Sequence, residues 1–366
     1  MPESPREKPG TILILQGGGA LGAYECGVYK VLAERLDDLS VVAGTSIGAI
    51  NAGVIARNFT EPDRGVGALE AFWHELAFPV LPVWESNPWV KLWASYQAVL
   101  TSMTIGNPHL FQPALLGGAP YSTDAMRETV ASAMGTYARG SAPRLIVTAV
   151  ELETSQPVAF DSAHRDITPD HIVASGSLPP GFPPHVIDGL HYWDGGLWSN
   201  TPLPDVLAAV RSSNGAAGSE SSSNSAPDAG YQIYIIDVFP QRFVPPDEPV
   251  PAPPEVQARM GQIIYQDKTR SDASGSRWVT WCRELYEILE AIPPAVLSTL
   301  EAPLRQRLDQ VLTEIEGVKT RLPVNVTRIH RASLPYEQIS CGVDFSEGRI
   351  EALIEQGEQD ALQAVA

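Results

Sequence analysis

The feature that most constrains the fold is an alternation of strand and helix patterns between Thr11 and Asn58. An apolar run, TILIL, precedes a glycine-rich turn and a helical pattern, and a second run, LSVVAG, precedes a tight turn and another helical pattern. Strands that alternate with helices of this length indicate a mostly parallel central sheet flanked by helices. Ligands of such sheets collect at the carboxyl ends of the strands, where both turns fall. The sequence therefore predicts an α/β fold with its functional site at that edge.

The remainder of the chain is predicted to form a catalytic domain, 1–240, and a C-terminal helical extension, 241–366, with a late strand packing on the core. Residues 79–120 are rich in Pro and Trp and predict a cap-like insertion, whose aromatic side chains pack irregularly, line an apolar substrate channel or form an interfacial anchor. The Ser-, Gly-, Ala- and Asn-rich tract at 211–230 predicts a disordered surface loop. Residues 253–320 carry apolar side chains at spacings of three and four, which is typical of amphipathic helices that need a partner surface.

The acidic charge balance limits the partners of the chain. Its formal net charge of −18 creates a field that repels nucleic acid and anionic lipid surfaces. Peripheral contact with a neutral lipid surface rests on apolar burial instead and stays open. No apolar run approaches the ~20 residues that span a bilayer, so no transmembrane segment is expected. The N-terminal MPESPREKPG lacks the apolar core of a signal peptide, and we expect a cytoplasmic protein.

The three cysteines predict neither a disulfide framework nor a metal centre. Cys26, Cys282 and Cys341 are odd in number and widely separated, and they lack the spacing of zinc ligands. We expect them to serve packing.

The first glycine-rich turn contains Gly17-x-Gly19-x-x-Gly22, the pattern of a dinucleotide-binding loop. Such a loop requires an acidic residue at the end of the following strand to hold the ribose hydroxyls. Asp37 and Asp38 precede that strand, and its end carries no carboxylate. An NAD(P)-dependent oxidoreductase is therefore disfavoured, and the loop is available to another anion.

The second turn is a G-x-S-x-G motif between a strand and a helix, formed by Gly44, Thr45, Ser46, Ile47 and Gly48. Small residues on both flanks allow a sharp, strained turn that projects the serine hydroxyl at the positive end of the following helix. This nucleophile elbow predicts that Ser46 attacks a carbonyl group in acyl transfer.

Acyl transfer also needs hydrogen-bond donors for the developing oxyanion. Gly17, Gly18 and Gly19 lie before a helix N-terminus and offer amide groups that no side chain blocks. The anion of this loop is therefore predicted to be the transient oxyanion of the reaction.

Two residues are candidates for the base that accepts the serine proton. Histidine is the usual choice because its pKa lies near neutrality, and His330 has the appropriate chain order. The alternative is Asp194, which begins a tight turn with Gly195 and Gly196. A carboxylate is a weak base, so this choice needs a partly dry and fixed site, which the neighbouring Trp and Tyr residues make plausible.

The three motifs, in this order, resemble the patatin-like phospholipase family, whose pattern is G-G-G-x-x-G, G-x-S-x-G and D-G-A/G. The segment ASGSLPPGFPP is also similar to a run found in that family, with Ser177 where alanine is common. The resemblance covers roughly residues 11–240.

This resemblance implies a three-layer α/β/α fold and hydrolysis of lipid acyl esters, of the phospholipase A or lysophospholipase type, without a metal or cofactor. It implies that Ser46 is the nucleophile and Asp194 the base of a Ser-Asp dyad, with Gly17 to Gly19 as the oxyanion hole. The reaction would pass through an acyl-serine. A general carboxylesterase or polyester depolymerase stays open as an alternative, as does a catalytically silent lipid-binding module.

Overall fold

The computed structural model describes residues 10–36, 38–78, 107–114, 119–216, 231–239, 264–265, 304–305, 307–308, 324–332 and 342–365. Most of the predicted cap-like insertion at 79–120 lies outside these residues, as do nearly all of the predicted helices at 253–320. Cys282 and Cys341 lie outside them as well. The division into a catalytic domain and a C-terminal extension stays a prediction.

The described elements follow the strand and helix alternation predicted from the sequence. The strands are β1 Gly10–Leu15, β2 Val41–Thr45, β3 Gln112–Pro113, β4 Tyr121–Ser122, β5 Arg144–Glu151, β6 Gln156–Asp161, β7 His185–Ile187, β8 Leu190–Asp194, β9 Tyr231–Asp237 and β10 Val324–His330. The α-helices are α1 Gly22–Ala33, α2 Ile47–Asn58, α3 Val66–Leu76, α4 Asp124–Ala133, α5 Pro169–Gly176, α6 Leu203–Ala216 and α7 Glu347–Ala364.

Eight of the described strands form one mixed sheet, while β3 and β4 form a separate ribbon. The main order is β10-β9-β1-β2-β5-β8-β7, and β6 also pairs with β5. The pairs from β10 through β9, β1 and β2 to β5 are parallel. The pairs of β5 with β6 and β8, and of β7 with β8, are antiparallel. The predicted mostly parallel sheet is confirmed.

Alternate residues of β1 contact two different helical layers. Leu13 and Leu15 belong to a buried cluster with side chains of α1, α2, α3 and α7. Ile12 and Ile14 belong to a second cluster, which contains Val206 of α6. Successive side chains of a strand point to opposite faces, so β1 is apolar throughout because both of its faces are covered. The predicted α/β/α layering follows from this burial.

The strand β5 aligns the ends of β2 and β8. Its early residues pair with β2 up to the partners Thr45 and Thr148, and its last residues pair with β8 from the partners Ala149 and Asp194. β6 pairs with β5 over both of these stretches and so occupies the opposite edge. β2 and β8 therefore approach each other along one edge of β5, and their ends meet at neighbouring residues. This brings together the turns that follow the two strands.

The predicted late strand and terminal helix are both present. β10 pairs in register with β9 over its whole length, from the partners Val324 and Tyr231 to the partners His330 and Asp237. α7 packs against α1, with Ile350 in the same buried cluster as the residues of α1. The end of the chain is thus joined to both the sheet and one helical layer.

The predicted surface loop at 211–230 was wrong for its first six residues, because α6 continues to Ala216. Val206 and Val210 of this helix are buried against the sheet. Once a helix is anchored in this way, each added residue costs little, so a polar sequence can continue it. Residues 217–230 lie outside the described part of the chain.

Candidate active site

Ser46 occupies a strained turn between β2 and α2. Its φ of 57° lies in the left-handed region that residues with a side chain rarely adopt. A Cβ atom at Gly44 would lie 2.1 Å from the carbonyl oxygen of Gly48, and one at Gly48 would lie 2.5 Å from the carbonyl oxygen of Leu15. Both flanks must therefore be glycine, which explains the G-x-S-x-G pattern physically.

The backbone amide of Ser46 is held by a second serine. It donates a hydrogen bond to the Oγ atom of Ser175, over 2.9 Å, and Ser175 is fully buried in α5. No sequence pattern predicts this contact, since α5 and the serine turn are far apart in the chain. The segment that contains Ser175 was recognised only as a family pattern.

Asp194 is buried and touches Ser46. Its side chain is 1% exposed and interacts with the side chain of Ser46. Its Oδ1 atom accepts a 2.7 Å hydrogen bond from the amide of Gly196. Burial raises the pKa of Asp194 to about 7, and the interactions with Ser46 and Gly196 oppose this rise. A Cβ atom at Gly195 would lie 2.6 Å from the carbonyl oxygen of Thr148, so the turn needs glycine there as well.

The first glycine-rich loop adjoins the serine turn. A Cβ atom at Gly17 would lie 2.9 Å from the Cβ atom of Ser46, so only glycine allows this close approach. The amide groups of Gly17, Gly18 and Gly19 donate no hydrogen bond to the part of the chain that the structure describes. The amide of Ala20, by contrast, donates to the carbonyl oxygen of Gly342 over 2.8 Å. Three successive donors of this loop therefore have no acceptor among the described groups.

Asn200 connects the glycine loop to a residue far along the chain. Its Nδ2 atom donates to the carbonyl oxygens of Gly17, over 2.8 Å, and of Tyr265, over 3.0 Å. The side chain of Gln16 donates to the same Tyr265 carbonyl over 3.3 Å. Burial raises the pKa of Tyr265, and the negative charge of Asp194 raises it further. The sequence predicted none of these residues, because an isolated Asn, Gln or Tyr outside a motif carries no signal.

His330, the other candidate base, is engaged elsewhere. Its Nδ1 atom lies 2.7 Å from Oδ2 of Asp237, a buried residue at the end of the neighbouring strand β9. Its own strand, β10, is three strands away from β2 in the sheet. Strands lie about 4.8 Å apart, so His330 is about 14 Å across the sheet from the strand that precedes Ser46. The structure therefore does not bring His330 to the serine turn.

The described residues contain neither a membrane span nor a cluster of metal ligands. Of the helices that can be described, none combines the length and the apolar character needed to cross a bilayer. Groups of three or more His, Cys, Asp or Glu side chains suited to a metal ion are likewise absent from the described residues.

A serine on a strained strand-to-helix turn, in contact with a buried carboxyl group, is an arrangement typical of serine hydrolases built on α/β sheets. The family model for patatin-like phospholipases matches residues 13–207, more than half of the 366-residue chain. The chain therefore belongs to the patatin-like phospholipase family. This confirms the predicted family.

Several known proteins are similar to this chain over part of its length. An uncharacterized NTE family protein of Mycobacterium tuberculosis is 27% identical over 199 residues, which are 54% of this chain and 46% of the relative. Lysophospholipase NTE1 of Mycosarcoma maydis is 36% identical over 78 residues, 19% of this chain and 4% of that protein. The crystal structure of VipD from Legionella pneumophila aligns with 98% of this chain and 67% of its own, at 14% identity and a TM-score of 0.37. The chain spans about half the length of the mycobacterial relative.

Proposed function

We propose that this protein hydrolyses carboxylic ester bonds of lipids through an acyl-serine intermediate on Ser46. The observation that carries the proposal is the interaction between the buried carboxyl group of Asp194 and the side chain of Ser46. A nucleophilic hydroxyl needs a base within hydrogen-bond reach, and no histidine is brought to this turn by the described strands. A Ser-Asp dyad is the simplest chemistry that this pair supports.

The reaction would proceed in two steps. In the first, Ser46 Oγ attacks the ester carbonyl carbon while Asp194 accepts the serine proton, and this proton then passes to the departing alcohol. In the second, Asp194 accepts a proton from water as the water oxygen attacks the acyl-serine carbonyl, and Ser46 recovers its proton when the fatty acid leaves. Amide groups of Gly17, Gly18 and Gly19 would stabilise the oxyanion of both tetrahedral intermediates.

The raised pKa of Asp194 supports its role as the base. An aspartate at its ordinary pKa of 3.8 is a poor proton acceptor, whereas burial raises this pKa to about 7. General bases act best when their pKa lies near the working pH, because the ionised form is then both populated and basic. Asp194 would therefore function near neutrality without a histidine.

A lipid substrate of the phospholipase A or lysophospholipase type is supported by the family and by the name of the Mycosarcoma maydis relative. Leu197 and Trp198 directly follow the aspartate turn and are 44% and 56% exposed. Exposed apolar residues beside the site favour a substrate with an apolar chain and peripheral contact with a neutral lipid surface, because the net charge of −18 disfavours an anionic one.

The proposal is tested by labelling and hydrolysis together. Wild-type protein, Ser46→Ala and Asp194→Asn are treated with a fluorophosphonate, and the labelled residue is located by mass spectrometry. The same proteins are assayed with p-nitrophenyl esters, fluorescent phospholipids and an aliphatic polyester. Ser40→Ala, at the other end of β2, and Asp188→Asn, at the exposed tip of the hairpin before β8, are matched controls.

We expect label on Ser46, loss of hydrolysis in both site variants, and normal hydrolysis in both controls. Preference for short or polymeric esters over phospholipids would instead favour a carboxylesterase or polyester depolymerase. Lipid binding without label or turnover would favour a silent lipid-binding module. Full activity of folded Asp194→Asn would contradict the dyad.

A further inference from the structure

The segment from Gly342 to Ala364 contacts the glycine loop and the helix that follows it. This segment lies outside residues 13–207, which carry the family match. It comprises a turn that begins at Gly342 and the helix α7. We call it the C-terminal clamp.

The clamp touches the glycine loop through the backbone of Gly342. The carbonyl oxygen of Gly342 accepts a 2.8 Å hydrogen bond from the amide of Ala20. The same oxygen would lie 2.1 Å from a Cβ atom on Gly19, whose φ is 58°. On the other side, a Cβ atom on Gly342 would lie 3.2 Å from the carbonyl oxygen of Gly18. The backbone of Gly342 is thus in direct contact with three successive residues of the loop, Gly18, Gly19 and Ala20.

The clamp also fixes α1, the helix that continues from the glycine loop. A Cβ atom on Gly27 would lie 1.9 Å from the carbonyl oxygen of Ile354, and one on Gly357 would lie 2.2 Å from the carbonyl oxygen of Tyr24. The crossing of α1 and α7 is therefore a close contact of two backbones at two glycines. A methyl group at either position would force the helices apart, because the atoms that it meets belong to a rigid helix backbone.

Polar contacts hold this crossing together. The hydroxyl of Tyr24 donates to Oδ2 of Asp360 over 3.0 Å. Lys30 of α1 bridges Glu358 of α7 and Glu70 of α3, at 2.5 Å and 2.6 Å. These bonds join α7 to two helices of the layer that packs on one face of the sheet.

We propose that the C-terminal clamp is a positioning element for the oxyanion hole, and that Gly342 is its contact residue. This inference rests on the proposed function. Each of the four consecutive backbone amides from Gly17 to Ala20 can donate a hydrogen bond either to another part of the protein or to the oxyanion. The Gly342 carbonyl accepts the hydrogen bond of the Ala20 amide and fixes the loop in the conformation in which the other three amides have no acceptor among the described residues. Preorganised donors of this kind lose their effect when their positions become variable.

The test compares two glycines of the same helix. Gly357→Ala places a methyl group against the backbone of α1, whereas Gly348→Ala places one at an exposed position where a Cβ atom has nothing within 4 Å. Ala20→Pro is a second variant, because it removes the amide hydrogen that donates to Gly342 and places a ring carbon where that hydrogen lay, so the contact with the Gly342 carbonyl is lost. Each protein is assayed with a soluble ester at a temperature at which circular dichroism shows it to be folded.

We expect Gly357→Ala and Ala20→Pro to lower kcat by about tenfold or more with KM changed by less than about threefold, since oxyanion donors act on the transition state. Gly348→Ala should match the wild type. Hydrogen exchange of the peptide that contains residues 17–21 should be faster in Gly357→Ala than in Gly348→Ala. Unchanged kcat in both folded test variants would overturn the proposal, as would unchanged exchange. If Gly357→Ala does not fold, the kcat of Ala20→Pro decides.

Failure of the proposed function would look different. In that case the wild type itself would lack hydrolysis that depends on Ser46, while the exchange measurement would still report whether the clamp orders the glycine loop. Normal wild-type hydrolysis with unaffected clamp variants would contradict this inference alone.

Discussion

Asp194 and Ser46 come together because the strands that carry them end at neighbouring residues of β5. The last residue of β2, Thr45, pairs with Thr148 of β5, and the last residue of β8, Asp194, pairs with the next residue of β5, Ala149. One strand therefore sets the distance between two turns that are far apart in the chain. The contact between Asp194 and Ser46 therefore depends on the register in which β2 and β8 pair with β5.

The pH dependence of hydrolysis should follow the ionisation of Asp194. A base must be deprotonated, and burial raises the pKa of Asp194 to about 7. We therefore expect kcat/KM for a soluble ester to be level above pH 7 and to fall about tenfold per pH unit below it. Steady-state kinetics in buffers of constant ionic strength measure this profile. A value of kcat/KM that is constant from about pH 5 to pH 8 would be incompatible with Asp194 as the base.

The same carboxyl group should limit the stability of the protein at neutral pH. Its pKa is raised from 3.8 in the unfolded chain to about 7 in the folded one. Its contribution to stability is thus fully present below about pH 3.8 and is lost as pH rises through about 7. Asp194→Asn carries no charge, so it should exceed the wild type in unfolding free energy by up to about 4 kcal/mol at pH 8 and by much less at pH 4.

Urea unfolding at the two pH values measures this difference. Asp188→Asn, at an exposed hairpin position, is the matched control and should show no such dependence on pH. If the wild type is as stable as Asp194→Asn at pH 8, ionisation of the buried carboxyl group does not lower the free energy of unfolding.

Ser175 should matter for catalysis because it holds the backbone amide of Ser46. Ser175→Ala removes the acceptor of the Ser46 amide and leaves that amide without a partner in a strained turn. We expect a loss of about 1–3 kcal/mol in unfolding free energy and about a tenfold lower kcat. Ser177→Ala is the control, because among the described residues the hydroxyl of Ser177 bonds only to the carbonyl of Val173, over 2.7 Å, in the helix that Ser177 follows.

Thermal unfolding and steady-state kinetics of the two variants decide the matter. If Ser175→Ala and Ser177→Ala have equal kcat, the hydroxyl of Ser175 has no positioning role.

His330 should be dispensable for hydrolysis. Its ring contacts Asp237, and its own strand β10 lies three strands away from β2. We expect His330→Asn to retain kcat/KM within about twofold of the wild type, because changes outside a site seldom alter the transition state. A folded His330→Asn variant that loses activity more than about tenfold would return histidine to the mechanism.

The local parts of the site could be predicted from the sequence. Gly44 and Gly48 leave a recognisable pattern because a close approach of two backbones excludes every other residue. The same holds for Gly17 and Gly195, so the three motifs and their family were recognised correctly. The strand and helix alternation is equally local, because it follows from burial on one or two faces.

The contacts between distant segments could not be predicted in this way. Ser175, Asn200 and Gly342 each contact the site through one or two hydrogen bonds, and so few bonds impose no pattern on the neighbouring sequence. The error at residues 211–216 has a similar cause, because the anchor of α6 lies before them, at Val210. Sequence patterns reveal positions at which most residue types are excluded, whereas Ser175, Asn200 and Gly342 act through contacts with residues far away in the chain.

The backbone crossing of α1 and α7 has a consequence for folding during synthesis of the protein on the ribosome. α1 and the serine turn are translated early, whereas α7 is translated after every other described element. Because domains fold from their N-terminal side during synthesis, a nascent chain can bury much of its sheet while the glycine loop still lacks the helix that packs behind it. Ser46 would thus be synthesised early, whereas the helix that positions the proposed oxyanion hole would be added last.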